Sequence, residues 1–353
     1  MAKLRLGVIG AGSWAVASHL PNFARRGDEV EFVGVARKGK DLLAKIKDDW
    51  GFEVASEDYR DVVDAGMDIC LVASPHRFHY EHAKAALEAG AHVLCEKPFT
   101  IDPAHAWDLV RIADERDLHL LVSYGSNYMP WTRGAKRLME EHGIGEIEEV
   151  SIEMSSVTRG LLANLAAYPL SAPDAIPEPE TWTDPRNGGG YGQAQLTHAL
   201  GAGLWLTGLR GEAVFALMKA VLDAPVEHHD ACVMRFRNGA IGTMAGASAH
   251  EGAHENRHQI KISAMGSEGE FGIDLGRDRV WLERADGFAA APPVEPGAFL
   301  YNCDGPPQAL VDLALGKDVE NCSPGELGAR TVEILDAAYR SATSGQLEPV
   351  AEG

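Results

Sequence analysis

The sequence predicts an α/β protein in two parts: an N-terminal doubly wound parallel sheet, and a C-terminal α+β part with a large, open-faced, mostly antiparallel sheet. Strand-like and helix-like segments alternate through residues 1–125, which is typical of parallel strands joined by helices. After residue 146, strand-like segments with period-two alternation follow one another, which indicates antiparallel or mixed pairing. The length of 353 residues also exceeds a single comfortable core. We therefore predict two domains, 1–125 and 126–353.

Composition and charge argue against several functional classes. Asp and Glu together number 52 and Lys and Arg 32, for a net charge of −20. Such a charge repels nucleic acids and anionic membranes unless a basic patch exists, and the sequence contains none, so we expect neither partner. No apolar run is long enough to span a bilayer, and residues 1–10 lack the zones of a signal peptide. The five cysteines show no disulfide or zinc spacing, so we expect reduced thiols, no metal and a cytoplasmic location.

The first motif follows the first predicted strand, residues 4–9. The next six residues have the pattern G-x-G-x-x-A and precede a helix-like stretch that runs to Arg26. Gly10 permits a tight turn, Gly12 lets a pyrophosphate approach the backbone, and Ala15 allows close packing of helix on strand. Phosphates would lie on the free N–H groups of the helix N-terminus. The pattern therefore predicts a dinucleotide site formed by Gly10, Gly12, Ser13, Trp14 and Ala15.

The end of the second predicted strand, residues 30–36, bears on the choice between NAD and NADP. An NAD enzyme usually ends this strand with an acidic residue that binds the ribose 2′-hydroxyl, whereas this chain has Arg37, Lys38 and Lys40. Three cations suit a 2′-phosphate, so the sequence slightly favours NADP. Alternatively, Arg37 lies across the adenine or in solvent and NAD is accepted.

The rest of the first part continues the alternation of strands and helices. We predict helices at 41–50, 79–88 and 103–115, and strands at 67–73, 92–95 and 118–123. Ligands of such sheets bind beyond the carboxyl ends of the strands. Two of these ends carry polar side chains, in the segments Ser-Pro-His-Arg-Phe-His (74–79) and Cys-Glu-Lys-Pro (95–98).

These motifs, with the spacing Ala-x-x-Ala-Leu-x-x-Gly at 83–90, resemble the Gfo/Idh/MocA family of nicotinamide-dependent sugar and cyclitol oxidoreductases. The resemblance extends over nearly the entire chain. It implies that Lys97 is catalytic and that Pro98 follows a cis peptide bond. It also implies cofactor contacts from Ser74, Pro75, His79, Glu96 and Lys97, and substrate or cofactor contacts from Tyr124 and Asn127.

The second part opens with a predicted helix at 131–142 and the segment Gly-Ile-Gly-Glu-Ile (143–147), which is also typical of the family. Predicted strands follow at 148–157, 213–221, 231–236, 240–248 and 258–264. One face of this sheet would pack on helices, and the other would line a substrate cleft or a subunit interface, so we expect a homodimer or homotetramer. The helices predicted at 307–315 and 324–344 resemble family helices that pack back on the first domain.

Five prolines between Arg159 and Asn187 exclude a continuous helix or a central strand there. Long irregular loops in compact domains are usually functional or disordered. We favour a lid on the substrate side, because Tyr168, Trp182 and Arg186 are side chains that suit sugars, and we include Arg159 among the substrate residues. The alternatives are a disordered linker and an ordinary surface loop.

The lid ends in a glycine cluster at 188–190 that leads into Gln193, Gln195 and His198. The resemblance implies that His198 is the catalytic histidine, but Ala194 and Gly201 stand where the family has Asp. Gln195 and His198 share a helix face, and both glutamines suit sugar hydroxyls. Residues 197–201, Thr-His-Ala-Leu-Gly, also resemble the Thr-His-Gly-Leu-Gly stretch of NAD-dependent glycoside hydrolases.

A group of histidines in the middle of this part suggests a metal site: His228, His229, His250, His254 and His258, with Glu251 and Glu255. Because His250 and His254 lie in a glycine-containing connection between strands, helical ligand geometry is not implied there, and we predict no metal. These histidines and Arg257 contact a polar substrate or lie in a solvated loop.

The resemblance implies an NAD(P)-dependent oxidoreductase that transfers a hydride between the cofactor and a hydroxyl-bearing carbon of a sugar, a sugar derivative or a cyclitol. Lys97 and His198 would flank the reacting hydroxyl, and either could be the base. Two alternatives stay open. One is an NAD-dependent glycoside hydrolase acting by transient oxidation, elimination, water addition and re-reduction. The other is a non-catalytic regulator that senses nucleotide.

Overall fold

The computed structural model describes residues 2–166, 178–250, 258–295, 298 and 300–351. Its first sheet has six parallel strands: β1 (Leu4–Ile9), β2 (Val30–Ala36), β3 (Val54–Ser56), β4 (Ile69–Val72), β5 (His92–Cys95) and β6 (Leu120–Val122). Their order is β3-β2-β1-β4-β5-β6, which is the order of dinucleotide-binding sheets. The order reverses between β1 and β4, so a crevice is expected beyond the carboxyl ends of these two strands.

Helices cover both faces of this sheet: α1 (Leu20–Ala24), α2 (Lys40–Trp50), α3 (Tyr59–Asp64), α4 (His79–Glu88) and α5 (Pro103–Glu115). A π-helical turn at Ala15–His19 precedes α1. The start of α5 shows why such bounds can be predicted: Pro103 is at the first position, and the Asp102 carboxylate accepts a hydrogen bond from the backbone N of Ala104 at 2.8 Å.

The second sheet has nine strands: β7 (Ile147–Ser156), β8 (Gly211–Lys219), β9 (His229–Phe236), β10 (Ile241–Ser248), β11 (His258–Gly266), β12 (Gly269–Asp274), β13 (Arg279–Arg284), β14 (Ala289–Ala290) and β15 (Glu348–Pro349). Their order is β14-β13-β12-β11-β7-β10-β9-β8-β15. Strands β7 and β10 pair in parallel and the other neighbours pair antiparallel. This confirms the predicted fold class.

The remaining helices are α6 (Gly125–Tyr128), α7 (Pro130–His142), α8 (Arg159–Leu162), α9 (Glu180–Thr183), α10 (Thr197–Thr207), α11 (Gly305–Ala314) and α12 (Gly325–Ser344). The inner face of the second sheet packs on α10 and α12; a Cβ on Gly203 of α10 would meet Ile152 of β7 at 2.6 Å. The outer face is open. On β9, Val233 is 50% exposed on this face, whereas Cys232 and Met234 on the inner face are buried.

The two C-terminal helices also contact the first sheet. Ser323, just before α12, accepts a backbone hydrogen bond from Val122 of β6 at 2.9 Å and donates from its Oγ to the Val122 carbonyl at 2.6 Å. Asp312 of α11 accepts a hydrogen bond from the Arg26 guanidinium at 2.7 Å. Leu310 of α11 is fully buried in the core around β1. These contacts hold the second sheet against the first, with a cleft between them.

Candidate active site

A cleft of about 770 Å³ runs along the carboxyl ends of β1, β2, β4 and β5 and reaches α10. At one end, the Gly10 turn follows β1 with φ of +94°, and a Cβ there would meet the Ser74 backbone at 2.2 Å, so this position requires glycine. A Cβ on Gly12 would meet nothing within 4 Å. The open space at Gly12 and the helical turn behind it therefore fit a pyrophosphate.

Cations line the next part of the cleft, after β2. Arg37 Nε donates to the Lys38 carbonyl at 2.9 Å, and its buried Nη1 has no partner among the described residues. Burial lowers the pKa of Arg37. Lys38 Nζ donates to the Glu57 carbonyl at 3.1 Å, while the Glu57 carboxylate accepts from the Gly39 backbone at 2.8 Å. This end thus offers Arg37 and Lys38 to a ligand, with Glu57 beside them.

Glu96, after β5, is a buried carboxylate with several donors around it. His19 Nε2 lies 2.6 Å from its Oε1, the Lys97 backbone N donates to its Oε2 at 3.0 Å, and Ser123 adds a side-chain hydrogen bond. Burial raises the pKa of Glu96, but the hydrogen bond from His19 and the charge of Lys97 outweigh it and lower the pKa to about 2. Glu96 is therefore ionised at neutral pH.

The same cluster contains a thiol. Cys303 Sγ lies 3.1 Å from Ser123 Oγ, and ligand atoms of His19, Glu96 and Cys303 all lie within 4.8 Å of one another. Burial raises the pKa of Cys303 to about 12, so this sulfur is a protonated thiol at neutral pH.

Lys97 follows Glu96 and enters the cleft. Its peptide bond to Pro98 is cis, as the resemblance implies. Its Nζ donates to the Ala194 carbonyl at 2.8 Å and lies 5.8 Å from the centre of the Trp182 ring. Desolvation lowers the pKa of Lys97, and the charge of Glu96 opposes this effect. The amine is held in place and is easier to deprotonate than a solvated lysine.

The glycine cluster before α10 has a packing explanation. A Cβ on Gly189 would meet the Trp182 carbonyl at 2.6 Å, and one on Gly190, with φ of +108°, would meet the Glu227 carboxylate at 2.3 Å. Glu227 Oε1 accepts from the Gly192 backbone N at 2.9 Å and from the Tyr339 hydroxyl at 2.6 Å.

A second π-helical turn, Gly192–Leu196, leads into α10. Such turns are frequent at functional sites, and Gln195 of this turn lines the cleft.

His198 lies on α10 and is 1% exposed. Its ring centre is 4.9 Å from that of His258 and 5.5 Å from that of Tyr301, and its Nδ1 has no partner in the described part of the chain. Burial, and then the charge of Lys97, lower the pKa of His198 well below its usual value. Burial also lowers the pKa of His258 to about 3. Both imidazoles are therefore neutral at pH 7.

The structure brings most of the predicted site residues into this cleft: Gly10, Gly12, Ser13, Trp14, Arg37, Lys38, Ser74, Pro75, His79, Glu96, Lys97, Trp182, Gln195 and His198. His79 bridges two of the turns, since its Nδ1 lies 2.8 Å from the Pro98 carbonyl and its Nε2 lies 2.8 Å from the Ser74 carbonyl. Gln195 Oε1 is buried without a partner among the described residues.

Other predicted residues lie behind the cleft wall. The Tyr124 hydroxyl is 2.6 Å from Thr331 Oγ1, and Asn127 donates to the Cys322 carbonyl at 2.9 Å. Ala15 is buried in the core around β1, and Gln193 is buried beside Tyr339. Arg159 begins α8. Tyr168, His254 and Arg257 lie outside the described residues, as do Glu251 and Glu255.

Sequence reasoning missed several residues of the cleft. Tyr301 and Thr181 line it, and no motif marks either residue. His76 also lines the cleft. It lies in the segment after β4, where we predicted roles for Ser74, Pro75 and His79 and none for His76. His258 is 2% exposed and its ring stacks on Tyr301 at 3.9 Å, so it does not lie in a solvated loop.

A dinucleotide turn, a desolvated lysine and a neutral histidine around one cleft are an arrangement typical of nucleotide-dependent oxidoreductases. The chain belongs to the Gfo/Idh/MocA oxidoreductase family. Residues 4–124 match the family's NAD-binding Rossmann fold, and residues 132–271 match its C-terminal domain. The predicted family is thereby confirmed.

Curated relatives are similar over different shares of the chain. Levoglucosan dehydrogenase of Pseudarthrobacter phenanthrenivorans is 25% identical over 314 residues, 78% of this chain and 75% of that protein. D-glucoside 3-dehydrogenase of Escherichia coli is 31% identical over 159 residues, 45% of this chain and 44% of that protein. A glycosyl hydrolase family 109 protein of Streptomyces coelicolor is 40% identical over 62 residues, 18% of this chain and 13% of that protein. The chain spans about half or less of the length of the last two relatives.

Solved structures show the same fold. A levoglucosan dehydrogenase in complex with NADH and levoglucosan superposes with a TM-score of 0.75 at 22% identity, over 99% of this chain and 100% of that chain. No helix in the described part of the present structure is long and apolar enough to cross a membrane.

Proposed function

We propose that the chain is an NAD(P)-dependent dehydrogenase of a sugar, a sugar derivative or a cyclitol. The observation that carries the proposal is that Lys97, Gln195 and His198 line the same cleft as the dinucleotide turn. Two of the relatives are named for dehydrogenation of levoglucosan and of D-glucosides, which supports a carbohydrate substrate. The residues fit a nicotinamide dinucleotide, which supplies or accepts the hydride when bound.

Lys97 is the base in this proposal. The two positions where the family has Asp hold Ala194 and Gly201, so neither supplies a carboxylate to an imidazolium at His198. Burial and the charge of Lys97 lower the pKa of His198, which disfavours a proton there, while desolvation makes the neutral amine of Lys97 accessible. Lys97 removes the hydroxyl proton during oxidation and returns it during reduction, and neutral His198 orients the same oxygen.

Trp182 and Gln195 position the substrate. The Trp182 ring lies 5.8 Å from Lys97 Nζ and offers an apolar surface to a sugar face. Gln195 Oε1, buried and without a described partner, accepts a hydrogen bond from a neighbouring hydroxyl. Both side chains therefore favour a polyhydroxylated ring over a simple alcohol.

We also propose that NADP is preferred over NAD. The buried Arg37 Nη1 has no described partner, and a 2′-phosphate would supply one. Lys38 lies in the same stretch of the lining. A cytoplasmic location is part of the proposal and is supported by five buried, unpaired thiols.

A homo-oligomer through the outer face of the second sheet completes the proposal. Leu217 and Ile241 on this face are 66% and 61% exposed, and Val233 lies between them. Neighbouring exposed apolar side chains mark interaction sites more often than single ones do. Val233→Asp should dissociate the oligomer in sedimentation velocity, whereas Val319→Asp, at an exposed position elsewhere, should not. A monomeric wild type would contradict the proposal.

Redox-neutral glycoside hydrolysis is the second candidate. The short match to a glycosyl hydrolase family 109 protein and the absence of both Asp residues around His198 favour it. The test is turnover of free sugars, cyclitols and aryl glycosides with NAD and NADP, following reduced cofactor and aglycone together. Stoichiometric reduced cofactor from a free sugar supports the dehydrogenase, and aglycone release without reduced cofactor supports the hydrolase. Nucleotide binding with neither product would favour the regulator.

A further inference from the structure

The buried carboxylate of Glu96 lies where three parts of the first domain meet. His19 reaches it from the π-helical turn behind the dinucleotide site, with Nε2 2.6 Å from Oε1. Ser123 reaches it from the end of β6. The third contact comes from the backbone N of Lys97, 3.0 Å from Oε2. A carboxylate only accepts hydrogen bonds, so His19 donates its Nε2 proton and the carboxylate is held from three directions.

The cost of burying a carboxylate makes this arrangement informative. Glu96 is 7% exposed and His19 is fully buried, so the charge is compensated by these donors and by the Lys97 ammonium. His19 belongs to the helical turn that follows the Gly10–Gly12 loop. The contact therefore joins the element that would bind phosphates to the residue that would move the proton.

The charged and titratable groups around Lys97 come from several elements. Glu96 adjoins it in the chain, and Cys303 lies near it with a protonated thiol. His198 of α10, His258 of β11 and His76 after β4 face it as neutral rings. Glu96 is thus the negative charge that stabilises the Lys97 ammonium among the described residues.

We propose that Glu96, held by His19 and Ser123, is a positioning residue that fixes Lys97 and ties it to the dinucleotide turn. The inference rests on the proposed role of Lys97 as the base. It assigns Glu96 a function apart from direct contact with the cofactor. The charge and the shape of Glu96 have separate consequences, which two variants distinguish.

Glu96→Gln keeps the shape and removes the charge. The neutral amine of Lys97 then forms at lower pH, so the midpoint of the rise of kcat for oxidation should move to lower pH by about one unit or more. Glu96→Asp keeps the charge but shortens the side chain by one methylene. Here kcat should fall about tenfold because the backbone of Lys97 loses its support, while the midpoint stays near that of the wild type.

Glu333→Gln is the matched control. Glu333 is 5% exposed and accepts a hydrogen bond from Trp107 Nε1 at 2.6 Å, but it lies on α12 outside the cleft lining. A purely structural carboxylate of this kind should leave the midpoint and kcat unchanged. Thermal unfolding midpoints of all three variants show that folded protein is compared.

A measurement without turnover separates this inference from the proposed function. In the full chain with ¹³C-labelled lysine, the titration of the Lys97 side chain should move to lower pH in Glu96→Gln and stay in place in Glu96→Asp and Glu333→Gln. An unmoved titration in folded Glu96→Gln overturns the inference, even if the enzyme oxidises sugars. Glu96→Asp with wild-type kcat also overturns it. A wild type without any turnover would overturn the proposed function, while the titration would still decide the coupling of Glu96 to Lys97.

Discussion

Replacement of Lys97 by methionine removes the amine from the cleft while keeping an unbranched side chain. A positioned acid or base contributes about 10²–10⁴-fold to a rate, which is about 3–5 kcal/mol of transition-state stabilisation. Because Lys97 Nζ is held 2.8 Å from the Ala194 carbonyl and is desolvated, we expect a loss of kcat in this range. Glu96 keeps its bonds to His19, Ser123 and the backbone but loses the Lys97 ammonium that compensates its buried charge, so the free energy of unfolding should fall by up to about 3–5 kcal/mol.

Lys97→Arg provides the matched control, because a guanidinium keeps the charge but does not release its proton near neutral pH. It should bind nucleotide like the wild type and oxidise substrate as poorly as Lys97→Met. The assay is kcat and KM for oxidation, with nucleotide affinity from quenching of protein fluorescence and stability from urea unfolding. Lys97→Met with kcat within tenfold of the wild type would refute the role of Lys97.

The pH dependence has a definite sign. Desolvation lowers the pKa of Lys97 from its usual 10.5, so the neutral amine forms at a lower pH than in a solvated lysine. Oxidation should therefore speed up with rising pH through this lowered pKa and then level off, and reduction should slow over the same range. A rate of oxidation that falls as pH rises through this range would contradict the assignment.

Three further predictions concern His198, Gly190 and Arg37. His198→Asn, which keeps a polar side chain in place of the neutral ring, should lower kcat about 10²-fold with nucleotide affinity within threefold of the wild type; an unchanged kcat contradicts the role. Gly190→Ala should destabilise the chain by about 2–5 kcal/mol in urea unfolding, because its φ is +108° and its Cβ would meet the Glu227 carboxylate at 2.3 Å. The control is Gly208→Ala, whose Cβ would have open space around it. This variant should lose about 1–2 kcal/mol from its backbone conformation alone. Arg37→Ala should raise KM for NADP about 10–100-fold and KM for NAD less than threefold; equal effects would place Arg37 away from the 2′-phosphate.

The first sheet could be predicted because buried parallel strands are short apolar runs and their helices carry clear end signals. The strand at 92–95 and the helices at 79–88 and 103–115 have the predicted bounds. Strand β3 was missed because its three residues are half-buried at the edge of the sheet and show no alternation. Strands β14 and β15 have two residues each and are defined by their pairing with β13 and β8. A local sequence pattern does not predict such a pairing.

The residues of the candidate site likewise form two groups, those that the sequence could place in the cleft and those that it could not. Gly10 and Lys97 could be placed from the sequence because each follows a parallel strand, and the ends of such strands meet at one edge of the sheet. His198, on α10, could be placed through the family resemblance. Tyr301 and His258 enter the cleft from segments far along the chain, and their positions depend on how the two sheets pack. No spacing rule predicts such a contact.

The central claim is hydride transfer to a sugar carbon with Lys97 as the proton donor and acceptor. Its most direct test is reduction of a panel of keto-sugars with NADH and NADPH deuterated at C4 of the nicotinamide, followed by mass spectrometry of the products. With the wild type, we expect deuterium on one hydroxyl-bearing carbon of at least one product. With Lys97→Met, we expect the transfer of deuterium to be slower by about 10²–10⁴-fold, the contribution of a positioned acid or base. Absence of deuterium from every product, or equal transfer by both proteins, would contradict the account.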